Sequence, residues 1–250
     1  MEWGSEIWPD VRLAEILLVC AVTFVAGVVR GFSGFGSALM MVPVMAAVFD
    51  PRVAIPAATA VHLITSVQLI PEAVRDCDWG RVVPLSVAGC IAIPVGAWFL
   101  VTQDPGLLRR IIAVLVIVFA VLMLRGWRYH GRTRGWQMAV AGSVGGLITG
   151  AATIGGPPVV IFLMAGPYKA SENRAAIILY FMFVQSTAMI MYWIGGILVW
   201  QVVGVTLLLT PALMIGTFIG QRMFRHASEE GFRRFALGFL LVIGVVTLFV

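Results

Sequence analysis

The chain is predicted to be an all-α polytopic membrane protein of about ten membrane segments, in two inverted five-segment repeats with broken helices at the repeat interface. Three observations predict it. With 60% hydrophobic and 12% charged side chains in 250 residues, there is too little polar surface to cover a globular domain in water. The chain also repeats itself: VAGVVRGFSGFGSALMMVPVM over Val25–Met45 returns 119 positions later as VGGLITGAATIGGPPVVIFLM over Val144–Met164. Gly27, Gly31, Gly36 and Met45 fall on Gly146, Gly150, Gly155 and Met164, and after a small shift Ala54, Ile55 and Thr65 fall on Ala176, Ile177 and Thr187. Finally, each copy carries a Gly-rich break inside its apolar sequence.

Apolar runs set the segments in order. The first copy has stretches at about 13–30, 36–49, 53–70, 80–101 and 107–124; the second at about 137–150, 156–168, 175–195, 199–221 and 232–250. Residues 1–12 are then an extracytoplasmic segment, 13–124 and 137–250 the two membrane repeats, and 125–136 a cytoplasmic basic loop. A helix needs about 20 apolar residues to span the hydrocarbon, so the second stretch of each copy is too short to cross alone. Extended chain covers more depth per residue than helix, so Gly31–Gly36, drawn out, is expected to supply the missing depth before a half-helix.

Cation placement tests the crossings. If all ten cross, 13 Lys and Arg residues lie on the side of the Arg125–Arg134 loop and 4 opposite; if the short stretches turn back, the split becomes 7 to 10. The positive-inside rule prefers the first arrangement. Five crossings per copy invert the second copy and put both termini outside.

Composition excludes several classes. The net charge of +5 is almost wholly arginine between apolar stretches, which reads as topology signal and attraction to anionic lipid, not nucleic-acid binding. Cys20, Cys77 and Cys90 are too scattered for a metal site, so neither metal nor cofactor is expected. Glu2, Glu6, Asp10 and Glu15 against Arg12 oppose a cleaved signal peptide.

Unwound backbone survives in lipid only where protein buries it or where it lines a cavity. The half-helices after Gly36 and Gly156 therefore present their N-termini to a cavity, where free N–H groups and the helix dipole favour an anion. Pro157 and Pro158 suit a first helical turn. The candidate substrate-binding residues are Arg30, Gly31, Ser33, Gly34, Gly36, Ser37, Thr149, Gly150, Thr153, Gly155 and Gly156. Gly27, Gly31 and Gly146 also fit close helix packing, and Arg30 also fits a side chain reaching for the interface. His62, an ionisable group in an apolar stretch, and Gln185 are candidates for coupling or gating, or for packing. No Asp or Glu lies mid-segment, so proton coupling would use His62 or the substrate itself.

GFSGFGSALMMVP in the first copy and TGAATIGGPPVVIFLM in the second, each followed by a charged loop and an Ala/Thr-rich helix, resemble the TauE/SafE family, also known as the toluene sulfonate uptake permease family. The resemblance covers about residues 13 to 250. It implies a multi-pass permease of the plasma membrane, the inner membrane in a bacterium, that moves small sulfur-containing anions such as sulfite, sulfoacetate or other organosulfonates, often outward. Carried over residue by residue, its motif positions are Gly31, Ser33, Gly34, Gly36, Ser37, Gly150, Thr153, Gly155 and Gly156.

The expected partners are a small anion and the bilayer, with a homodimer left open. Two other readings stand beside the transporter. The same dipoles could line an anion-selective channel. Gly31-Phe32-Ser33-Gly34 also matches the GxSG motif of rhomboid intramembrane proteases, with Ser33 and His62 as a dyad. Against it, the second copy has Ala152 where Ser33 would be.

Overall fold

A computed structural model describes residues 11–124, 135–163 and 168–226. The expected Arg125–Arg134 loop, the last apolar segment and Met164 lie outside them. Among the described residues the chain forms ten helices and no strand: α1 (Leu13–Ser33), α2 (Ser37–Val48), α3 (Pro51–Ser66), α4 (Ile70–Asp76), α5 (Trp79–Thr102), α6 (Pro105–Leu124), α7 (Gly135–Ala152), α8 (Gly156–Leu163), α9 (Ala170–Ile194) and α10 (Trp200–His226).

Local sequence explains three of the starts. Asp50 accepts from the Arg52 N–H at 2.7 Å with Pro51 in the first helical position, and Asp78 accepts from the Gly80 N–H at 3.0 Å. Asp104 accepts from Gly106 N–H at 2.8 Å and Leu107 N–H at 3.1 Å ahead of α6. Each carboxylate satisfies donors that an isolated helix start leaves unpaired. The ends that matter are the breaks. Gly34 has φ +82° and its N–H donates to Arg30 O at 2.7 Å; Thr153, its repeat equivalent, has φ +61° and donates to Thr149 O at 2.8 Å. Both copies thus leave their first helix through the same left-handed turn.

Four helices are long and apolar enough to cross a bilayer, namely α1, α5, α9 and the Trp200–Phe224 part of α10. The count becomes five if α3 and α4, bent by 68° at their junction, form one broken span. At 12 residues, α2 is too short to cross alone, as the sequence predicts, and α8 is described over 8 residues, Gly156–Leu163.

Glycines set the main contacts. The most extensive pairings are α1 with α10 and α5 with α7. Under the repeat these are equivalent, each joining the first helix of one copy to the fourth segment of the other. A side chain at Gly27 or Gly31 would strike the α10 backbone at Leu213 or Thr217; one at Gly142, Gly146 or Gly150 would strike the α5 backbone at Leu85, Gly89 or Ile93. Such backbone approach is the small-residue packing of membrane helices.

This packing corrects one expectation. Gly31 is not drawn out: α1 stays helical through Ser33, and the break is only Gly34–Gly36. With α10 pressed against it, Gly31 keeps its helical conformation, and the unwinding is left to residues that α10 does not cover. In the second copy α7 likewise runs through Gly150 to Ala152, leaving Thr153–Gly155 as the break.

Candidate functional site

Both breaks open on one cavity. It holds about 280 Å³ of empty space, counting the part open to solvent, and is lined from four directions. Arg30, Phe35, Gly36, Ser37, Ala38 and Leu39 come from the first break, and Thr153, Ile154 and Gly156 from the second. His62 comes from the C-terminal part of α3, and Phe181 and Gln185 from the middle of α9. The polar and apolar groups are mixed as in small-ligand sites.

Arg30 is the charged member. It is 2% exposed, and its Nη2 donates to His62 O at 3.1 Å and to Ser66 Oγ at 2.6 Å. Ser66 Oγ in turn donates to His62 O at 2.8 Å, so α3 holds the guanidinium at the cavity wall instead of letting it reach the interface. Arg30 Nε has no hydrogen-bond partner, and no carboxylate lies within ion-pair distance of Arg30 among the described residues. A buried charge with no counter-charge costs several kcal/mol, and an entering anion would offset that cost.

His62 Nε2 lies 3.0 Å from Ser37 Oγ, the first residue of α2, while its Nδ1 is buried without a partner, as is Gln185 Oε1. Three residues that line the cavity thus each carry a buried polar atom without a protein partner. The helix starts differ in what they offer. The first turn of α2 presents the N–H groups of Ser37 and Ala38, whereas Pro157 and Pro158 strip α8 of donors and leave Gly156 to supply one. The dipole of α8 still points at the cavity.

The cavity thus gathers Arg30, Gly36, Ser37, Thr153, Gly156, His62 and Gln185 from the residues the sequence singled out. Others take different places. Gly31 and Gly150 face α10 and α5, and Gly34 packs on Arg174 and Ile178 of α9. A side chain at Gly155 would meet Gly145 O and Thr149 Oγ1, so this glycine serves the packing of α8 on α7. Ser33 Oγ lies 2.8 Å from both Val29 O and Phe35 O, bonded into its own helix end. No Ser33–His62 dyad forms.

Sequence reasoning missed Phe35, Phe181 and Ile154, which read as ordinary apolar residues. It also missed two supporting hydroxyls, Ser66 and Thr59, the latter 2.6 Å from Thr153 Oγ1. Their signal was present: they lie four residues after and three before His62, on one helix face.

The sulfite exporter TauE/SafE family model matches residues 19–247. A "Probable sulfite/organosulfonate exporter TauE" of Cupriavidus necator is 26% identical over 218 residues, which cover 85% of each chain. No solved structure matches this chain. A family match across nearly the whole length, on a helical chain whose two broken helices share one cavity, makes this multi-pass membrane protein a member of the sulfite exporter TauE/SafE transporter family.

Proposed function

We propose that the chain is a secondary transporter that exports a small sulfur-containing oxyanion, sulfite or an organosulfonate, bound in this cavity and released by alternating access. The observation that carries the reading is Arg30: a guanidinium 2% exposed, without a carboxylate partner among the described residues, on the wall of a cavity fed by two helix N-termini. The anion's oxygens take the Arg30 guanidinium, the Ser37 hydroxyl and the N–H groups of Ser37, Ala38 and Gly156, which are strong donors to an oxyanion. The curated relative's name supplies the substrate class.

The inverted arrangement belongs to the same proposal. Its support is the exchange of equivalent partners, α1 with α10 and α7 with α5, together with the 13 to 4 cation split. The site then lies near the bilayer midplane on the pseudo-two-fold axis, both termini lie outside, and the membrane is the bacterial inner membrane. A protease reading loses its nucleophile, because Ser33 of the GxSG motif is bonded to Val29 O and Phe35 O and not to His62.

The test is flux in proteoliposomes with sulfite, sulfoacetate, taurine and thiosulfate. Saturable flux of at least one anion, lost in Arg30→Gln, supports the reading. Flux that rises without saturation points to a channel, and wild-type flux in Arg30→Gln removes the anion site from this cavity.

A further inference from the structure

Two carbonyls at equivalent places in the repeat, Gly31 O and Gly150 O, stand in the last turn before each break. Such carbonyls lack the intrahelical donor that a continuing helix would supply. The N–H of Phe35, which would have reached Gly31 O, turns to Ser33 Oγ at 3.3 Å. Both carbonyls are instead satisfied by side chains of a single helix, α9. Arg174 Nη2 donates to Gly31 O at 2.7 Å, and the Tyr192 hydroxyl donates to Gly150 O at 2.8 Å with Thr149 O at 3.3 Å.

The two anchors are about 27 Å apart along α9, about three quarters of its length. Between them the Tyr180 hydroxyl donates to Gly142 O of α7 at 2.9 Å, and Phe181 and Gln185 line the cavity. Arg174 is itself held, by Glu72 of α4 at 3.3 Å and by its stacking on Phe224, 4.5 Å from the ring centroid. Repeat symmetry alone does not produce this arrangement. Arg52, the equivalent of Arg174, donates to Gln103 O at the end of α5 and holds neither break.

We infer that Arg174 and Tyr192 are positioning residues for the anion site, and that α9 is the strut that sets the two broken helices against each other. By fixing the last turn of α1, Arg174 places Arg30 and the start of α2; by fixing the last turn of α7, Tyr192 places Thr153 and the start of α8. The assignment rests on the reading that the cavity takes an anion, and the experiment keeps the two separable.

Arg174→Gln, Arg174→Lys and Tyr192→Phe are made in the full chain and reconstituted for sulfite and sulfoacetate flux. In parallel, each is combined with Phe35→Cys in a chain whose native cysteines are serine, and the labelling rate with a neutral methanethiosulfonate is measured. Loss of one positioning hydrogen bond is expected to raise KM about five-fold or more in Arg174→Gln and Tyr192→Phe. Vmax per folded protein stays near wild type, Arg174→Lys recovers part of the loss, and the labelling rate at position 35 shifts in both. A merely structural role would lower the folded fraction and Vmax together and leave KM alone. Unchanged labelling in both variants overturns the strut, whatever flux shows. If wild type carries neither anion while labelling shifts, the functional reading fails and the strut stands.

Discussion

The hydroxyl oxygens of Thr59 and Thr153 lie 2.6 Å apart, both buried, joining the middle of α3 in the first copy to the left-handed residue that ends α7 in the second. Thr59 also donates to Ile55 O at 2.9 Å, which leaves Thr153 to donate across the pair. A β-branched residue at φ +61° is strained by about 1–3 kcal/mol. The first copy meets the same turn with Gly34 and has no such cost.

Thr153 therefore yields an ordering of variants. Thr153→Val keeps the strained shape and loses the hydroxyl, and is expected to cost about 1–2 kcal/mol. Thr153→Gly loses the same hydroxyl but relieves the backbone, and is expected to stay within about 1 kcal/mol of wild type. Thermal unfolding in detergent decides, and a less stable glycine variant would mean the turn stores no strain.

Arg30 should separate stability from binding. Arg30→Gln removes an unpaired buried charge as well as two hydrogen bonds, so its melting temperature without substrate is expected close to wild type. Millimolar sulfite should raise the wild-type melting temperature through linkage, while the variant's stays flat. A variant that still responds to sulfite places the anion elsewhere.

His62 is the titratable candidate for coupling. Its unperturbed pKa, about 6.5, is the one near physiological pH among the side chains lining the cavity. If protons are coupled through the protein, His62→Gln keeps substrate binding and loses the pH dependence of flux. Ser37→Ala, which releases His62 Nε2, is expected to blunt the profile without abolishing it. An unaltered profile in both variants makes His62 a packing residue.

The glycines divide by what their missing side chain would meet. A Cβ at Gly146 runs into Gly89 O, whereas one at Gly156 sits 3.4 Å from Phe181, an ordinary contact. Gly146→Val is therefore expected to yield no monodisperse protein on gel filtration. Gly156→Ala should purify normally and bind anion more weakly, because its methyl group lies on the cavity wall. Equal yields of the two would sink the distinction.

Topology is checked by a single cysteine in place of His130, within the basic loop. The 13 to 4 split predicts protection from an impermeant reagent in intact cells. Rapid labelling there would reverse the orientation and undo the inverted plan.

Membrane embedding, the positions of most helices and the existence of a break in each copy were legible in the sequence by itself, whereas the bend that separates α4 from α3 was not. These depend on local quantities: apolar run length, an Asp-Pro start, a cluster of glycines between half-length segments. The register of the repeat carried more, since it paired Gly34 with Thr153 and both proved left-handed.

Only the tertiary structure decided which glycines pack and which line the cavity. A glycine reads identically whether helix, strand or ligand approaches it, so Gly31 and Gly36 looked alike until α10 was found against the first. It also decided that Arg30 and His62 turn to the cavity and that α9 anchors both breaks. Arg174 and Gly31 are 143 residues apart, and their hydrogen bond exists because α9 of the second copy packs against helices of the first. A partner chosen by packing leaves no local pattern, whereas the helices that bring the partners together do.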